Sequence, residues 1–311
     1  MVICRYRSEL KQEWDEFIEN SKISHFMFFR DYMDYHCDRF KDFSVMFRDE
    51  KGKLIGVLPA NIDSDTLVSH QGLTFGGFLA SKELKTELMI DCFSELLGYL
   101  KGEGINKFVY KRVPYIYHAQ PSDEDLYALF INDAKLIRRD MSSAIYLKEK
   151  IKFSSQRKRA VKKSEKEGVV VEKVDDASLV WGLISQVLRE AHGVMPVHSL
   201  EEIKLLKSYF PKNINFYLAK YNSKSLSAIV TYETSNVVHA QYLASNEEGK
   251  RLGALDAIVS LIISSSENSK LYFDFGISTE KDGLLLNRGL IHQKEGFGAR
   301  AIAHDFYRID F

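Results

Sequence analysis

The sequence predicts a mixed α/β protein built from two copies of one unit, each a mostly antiparallel sheet flanked by helices. Three observations predict it. A β-meander pattern occurs twice, the same order of helix and strand follows each meander, and the spacing between the two is nearly constant.

The first meander is FSVMFRDEKGKLIGVLPANIDSDTLVSHQG, starting at Phe43. It reads strand, charged turn with Gly52, strand, polar turn, strand. The second, INFYLAKYNSKSLSAIVTYETSNVVHAQYL, starts at Ile214 and reads the same way. After the first comes LKTELMIDCFSELLGYLKGEG, apolar at helical spacing and closed by Gly102 and Gly104. After the second comes GALDAIVSLIISSSENS, apolar on most faces and therefore read as a buried helix. A short strand follows each helix, at 107–111 and 271–275, and then a loop, a helix and a final strand near 135–147 and 299–311. Ile55 and Ser227 lie 172 residues apart, Val68 and Val238 170, and Lys107 and Leu271 164. Drifts of this size are loop-length changes.

The boundary between the copies is expected near residue 150, giving domains 1–150 and 151–311. Just past it, SSQRKRAVKKSEKEG reads as a helix capped by Ser154 or Ser155 and stopped by Gly168. Its charged side holds Arg157, Lys158, Arg159, Lys162, Lys163 and Lys166. Such a run is either a solvated face or a cationic wall for phosphates.

Composition bounds the function. With 311 residues, 45% hydrophobic, there is enough apolar material for two cores. Aromatics at 12% and only five prolines argue against disorder. The 43 basic and 43 acidic residues cancel, which argues against a general DNA or RNA binder but leaves room for a local basic groove. Cys4, Cys37 and Cys92 show no metal-ligand spacing, so free thiols in a reducing cytosol and no metal are expected. The first residues lack the apolar stretch of a signal peptide, and no window reaches the ~20 apolar residues of a membrane span. A cytoplasmic location is the expectation; the oligomeric state is left open.

A meander, then a helix, then a strand is an order that resembles the GNAT acyltransferase fold. Two such units in one chain resemble the FemAB-type aminoacyl ligases. The ending YFDFGISTEKDGLLLNRGLIHQKEGFGARAIAHDFYRIDF resembles that of FemAB-like proteins, with Asp274, Phe275 and Gly276 opening it and Lys294, Gly296, Phe297 and Gly298 closing it. Together with SHQGLTFGG, VPYIYHAQPSDED, MPVHSLEEIKLL and HAQYLAS, it makes nearly the whole chain similar to GNAT/FemAB-like proteins of bacterial surface-sugar clusters. That resemblance implies a transferase moving a short acyl group, such as 3-hydroxybutanoyl, from acyl-CoA to the amino group of a nucleotide-linked amino sugar for lipopolysaccharide or capsule synthesis. No permanently bound cofactor is implied. Two rivals stay open: a FemAB-type transferase using charged tRNA on a cell-wall precursor, and a non-catalytic nucleotide-sugar-binding protein. One departure bears on the donor. Ordinary GNAT enzymes hold the CoA pyrophosphate with Gln/Arg-x-x-Gly-x-Gly/Ala at a helix start, a natural anion site. Here Lys250-Arg251-Leu252-Gly253-Ala254-Leu255 keeps a basic residue three before a glycine and lacks the last small residue.

Acyl transfer to an amine needs alignment of the reactants, a base for the ammonium proton and polarisation of the acyl carbonyl. The candidate bases are His198, His70, His239 and Asp274. His70 lies at the end of the third strand of copy one, and His239 lies in the equivalent strand of copy two. His198 lies on a loop before a helix, where Ser199 and Glu202 form a capping box that already accounts for Glu202. Asp274 ends an apolar strand, and its alternative is a salt bridge or loop anchor. Donor contacts are expected from Lys250, Arg251, Gly253, Tyr242 and Lys294, the last held by Glu295. Acceptor contacts are expected from Tyr117, His118, Ser278, Asn287 and Asp256. Ser278 or Thr279 is also read as the cap of the helix after Gly276. Asp256, in an otherwise apolar helix, needs a partner and is equally a structural ion pair.

Overall fold

The computed structural model describes all 311 residues, the side chain of His192 apart. The chain divides into two compact units. The first is Met1–Asp140 with Glu280–Leu285 and Ala303–Phe311; the second is Met141–Thr279 with Leu286–Ile302. The mixed α/β class read from the sequence is the class observed. Where one boundary was expected at residue 150, the chain divides ten residues earlier and two later segments belong to the first unit.

The first unit contains β1 (Val2–Arg5), α1 (Lys11–Asn20), α2 (Arg30–Met33), β2 (Lys41–Asp42), β3 (Val45–Arg48), β4 (Leu54–Leu58), β5 (Asn61–Asp63), β6 (Thr66–Val68), β7 (Leu79–Ala80), α3 (Thr86–Gly102), β8 (Lys107–Lys111), α4 (Glu124–Ile131) and the start of β9 (Lys135–Tyr146). Strands β1-β3-β4-β7 form one small sheet, and β2, β5, β6 and β8 belong to another. The expected meander is therefore split. Pro59 follows β4 directly; it has no N–H to give a ladder, and the chain changes sheets there. Strand β6 runs parallel to β8, Thr66 opposite Lys107. The core lies under α3, where Phe93, Leu96 and Leu100 meet Phe47, Phe108 and Tyr110.

The chain continues with α5 (Ser155–Lys166), β10 (Val170–Val174), α6 (Ala177–His192), α7 (Leu200–Tyr209), β11 (Ile214–Tyr221), β12 (Lys224–Glu233), β13 (Val237–Ser245), α8 (Glu247–Leu252), α9 (Ala254–Ser266), β14 (Tyr272–Ile277), the short pair β15 (Thr279–Glu280) and β16 (Leu285–Leu286), α10 (Arg288–Gly296) and β17 (Arg300–Asp310), all in the second unit except 280–285 and the part of β17 from Ala303 on. Here the meander β10-β11-β12-β13 is unbroken and antiparallel, and β13 runs parallel to β14. Helix α9, apolar on most faces, packs on β11, β12 and β13 as a buried helix, and α6 packs on the same three strands. Ala240 joins the α9 side of the core with Ile258, Val259 and Ile262.

The internal repeat survives in the pairing. In each unit a meander strand lies parallel to the strand after the helix, β6 to β8 and β13 to β14. The last strand of each copy then ends in the other unit. Residues 142–146 of β9 pair antiparallel with β14, and residues 306–310 of β17 pair antiparallel with β8. Among the described residues, no helix is long and apolar enough to cross a membrane.

Candidate functional site

The second unit gathers most of the expected chemistry. Strands β13 and β14 pair only from Val237 to His239, opposite Tyr272 to Asp274. Beyond that point β13 pairs with β12 alone, while β14 turns to β9, Ile277 lying opposite Ser142. His239 and Asp274 are thus the last facing pair before the two strands part. Asp274 is fully buried. Its Oδ2 lies 2.9 Å from His239 Nδ1, and its Oδ1 accepts from Ser142 Oγ at 2.6 Å and from the Gly276 amide at 3.1 Å. A carboxylate only accepts, so Nδ1 carries the imidazole proton and Nε2 is the basic nitrogen. Gly276, at φ +75°, lies against the same ring: a Cβ there would stand 3.3 Å from His239 Cε1. A burial cost this large for a carboxylate is met by three donors.

Tyr242 belongs to the same centre. On β12, Tyr232 faces His239 and Val230 faces Tyr242, so the two β13 side chains share one face of the sheet. The register slips between Ala240 and Tyr242, which leaves Gln241 as a bulge. Tyr242 takes the α6 side, where the edge of Trp181 meets its ring at 5.0 Å and His198 Nδ1 lies 2.6 Å from its hydroxyl. His198 is held there by the start of α7, whose capping box of Ser199 and Glu202 forms as expected. Beside it opens a cavity of about 620 Å³, with Trp181, Arg189, Met195, Val197 and His198 in its wall.

Lys294 closes the other side. It is buried, and its Nζ donates to the carbonyls of Gly276 and Ile277 at 2.8 Å each. Burial pulls its ammonium down to about 8, with the charge of Asp274 opposing. Glu295 forms no ion pair with it among the described residues; on a helix the next residue points about 100° away. Ser278 does not cap α10. It sits buried at the end of β14, its hydroxyl without a partner, and Asn287 is the cap, accepting from the Leu290 amide at 3.0 Å. Thr279 accepts from the Met141 amide instead.

The expected phosphate contacts lie elsewhere. Lys250 and Arg251 sit on α8 and pair with Glu247 and Glu248 of the same helix. Gly253, at φ +72°, caps α9, and a Cβ there would stand 2.5 Å from the Ala160 carbonyl of α5. Asp256, in the first turn of α9, pairs with Arg157 of α5 at 2.9 Å, the structural role foreseen as its alternative. Helix α5 and a carboxylate therefore cover the helix start where a CoA pyrophosphate would lie by the resemblance. The residues at that helix start do not fit a pyrophosphate.

The remaining candidates lie in the first unit, His70 and Tyr117 buried and His118 half-buried. His70 stands at φ +59° in the turn after β6, stacked on His36 at 5.2 Å. Burial, then the charges of His36, Lys111 and Arg30, lowers its pKa to about 3. Its carbonyl and that of Leu73 hold the buried Lys111 ammonium, which burial lowers to about 7. Tyr117 packs on Phe75 at 4.6 Å, and His118 Nε2 lies 3.0 Å from the Val113 carbonyl. Burial lowers His118 to about 4. His70 is therefore a turn residue in a packed interior, unlike its near-equivalent His239.

Ser142, Trp181 and Gln241 were not foreseen. Two adjacent serines in the apolar run MSSAIYL were the one available signal for the first.

The topology has close counterparts among solved structures. FemX superposes with a TM-score of 0.70 at 11% identity, over 100% of this chain and 98% of that one. The fold is FemX-like. The same FemX-like architecture is shared by L-PGS from Bacillus licheniformis, with a TM-score of 0.64 at 10% identity over 97% and 92% of the two chains. A tandem GNAT protein from the clavulanic acid biosynthesis pathway matches at 0.51 and 10% identity over 99% and 98%. No family model and no curated protein sequence matches the chain.

Proposed function

We propose that the protein is a transferase that moves an activated acyl or aminoacyl group onto an amine, with His239 as the base. The observation that carries this reading is the Ser142–Asp274–His239 chain ending where β13 and β14 part. The acyl carbonyl lies in the opening between the strands, against the edge of β13 that has no strand partner beyond His239. The amine attacks the carbonyl carbon, His239 Nε2 takes the ammonium proton, and the C–S or C–O bond to the leaving group breaks. Tyr242, hydrogen-bonded to His198, returns a proton to that leaving group. The Asp274 carboxylate stabilises the imidazolium as it forms.

The acceptor of this reading is the amino group of a nucleotide-linked sugar in the cytoplasm. The donor is an acyl-CoA or an aminoacyl-tRNA, and the FemX-like fold favours the second as much as the first. The covered start of α9 requires an acyl-CoA to place its phosphates away from that helix. Mass spectrometry of mixtures with acyl-CoA and dTDP- or UDP-amino sugars, and in parallel with charged tRNA, tests the reading. An amide product that disappears in His239→Ala supports it. Tight binding of the sugar nucleotide without turnover of either donor refutes it.

A further inference from the structure

Helix α4 is apolar outside as well as inside. Its inward face sets Ala128 and Leu129 into the core beside α3, where the Tyr110 hydroxyl donates to the buried Asp125. Three residues of α4 are exposed, and all three are large and apolar: Tyr127 at 51%, Phe130 at 76% and Ile131 at 41%. Their spacing of three and four puts them on one stripe of the helix. The next exposed apolar residues in the chain, Leu136 and Ile137, lie at the start of β9. Helix α3, packed against α4, is polar outside: its exposed residues include Glu87, Asp91, Ser94 and Glu95, and none is large and apolar. Single exposed hydrophobics are ordinary, but a stripe of them on a helix whose other face is already buried marks an interaction surface.

The charges around the stripe point to what covers it. At the start of α4 they are neutralised within the chain, Arg112 on Asp123 and Lys22 on Glu124. Just past its end stand Asp133 and Lys135, both exposed, opposite in sign and without an ion pair among the described residues. An anionic bilayer would call for a basic excess, which this rim lacks. A second copy of the chain fits it. In a two-fold contact one patch serves both sides, so residue i meets residue j and j meets i. Phe130, in the middle of the stripe, then packs near the axis, and Asp133 of one copy meets the partner's Lys135. A contact built on one helix stripe falls at the small end of specific interfaces, so the dimer is expected to be weak and reversible.

We propose that the outward stripe of α4 is the contact surface between two copies of this chain in a homodimer. The inference stands apart from the transferase reading, since none of these residues belongs to the His239 centre. Sedimentation velocity over a dilution series of the full chain tests it. The wild type is expected to pass from dimer to monomer on dilution. Phe130→Glu puts a charge at the middle of the contact and is expected to raise the Kd at least about 30-fold, as loss of a central aromatic anchor does. Lys135→Glu sets two acids against each other across the axis and is expected to weaken the dimer, more so at low salt. Val170→Glu, at a residue 61% exposed on β10 of the other unit, is expected to leave the Kd unchanged. Because Phe130 is exposed in the single chain, the Phe130→Glu monomer should melt as the diluted wild type does. A wild type that stays monomeric at the highest concentration reached overturns the proposal. So does a dimer that Phe130→Glu and Lys135→Glu leave intact, or that Val170→Glu weakens equally. Flotation of the wild type with phosphatidylglycerol vesicles, lost in Phe130→Glu, would assign the stripe to a lipid surface and overturn it as well.

Discussion

Replacing Asp274 by Asn separates the chemistry of the centre from its folding. Asp274 Oδ1 receives both the Ser142 hydroxyl and the Gly276 amide, and Oδ2 faces His239. An Asn that keeps its carbonyl oxygen at the Oδ1 position retains two of the three contacts. Its NH2 group then faces His239 Nδ1 and donates, which forces the imidazole proton onto Nε2 and removes the base. The folding cost is limited to one altered hydrogen bond and one lost charge, about 1–3 kcal/mol. General base catalysis is worth about 10²–10⁴ in rate, or about 2.7–5.4 kcal/mol at 1.36 per tenfold. The assay is the transfer rate for wild type and variant, with ¹⁵N shifts of His239 to read the tautomer and a urea titration to read stability. A folded Asn variant with a rate within threefold of wild type, and Nδ1 still protonated, would refute the assignment.

Ser142→Ala should slow transfer about tenfold and cost about 1 kcal/mol, because the Gly276 amide still holds Oδ1; a rate equal to wild type would show Ser142 to be only structural. Tyr242→Phe, which leaves Trp181 its ring partner but takes the hydroxyl from His198, should lower the turnover number more than the Michaelis constant; an effect on the Michaelis constant alone would make Tyr242 a binding residue. Stability should fall in acid: His70 and His118 are neutral in the folded state, with pKa values lowered to about 3 and about 4, so only the unfolded chain takes up protons as pH drops below about 6.5. Between pH 7 and 5 each contributes a loss of about 2 kcal/mol. His70→Asn, which tolerates the positive φ and does not titrate, should flatten the profile of urea midpoints, and equal midpoints at pH 7 and 5 in the wild type would contradict this. Gly253→Ala should destabilise by at least about 1 kcal/mol, since φ is +72° and the new Cβ meets the Ala160 carbonyl; an unchanged melting temperature would show that α5 can yield there.

Local signals carried most of the fold. The cap at Ser154, the stop at Gly168, the capping box at Ser199 and the two helices after the meanders are set by neighbours in sequence, and each is observed. The site was legible only as residue types. His239 and Asp274 stood out as a strand histidine and a strand-end acid, but their union with Ser142 joins residues 132 positions apart. No periodicity reports such a contact. His70 and His239 looked alike because they hold near-equivalent places in the two meanders; the backbone turn at His70, with its positive φ, sets them apart from each other. Lys250 and Arg251 were expected at the donor, but they lie on a helix whose Glu247 and Glu248, each three positions earlier, pair with them.

The crossing of the final strands means that neither half of this gene product is a self-sufficient module. A cut at residue 150 would leave the front piece without the segment that flanks β8, and the back piece without Ser142 and the backbone that aligns Ile277. The back piece would thus carry His239 and Asp274 without the Ser142 hydroxyl that donates to the acid. Split expression would restore the full set only when both pieces are made together. Swapping one half between relatives would likewise fail unless the guest brought a matching last strand.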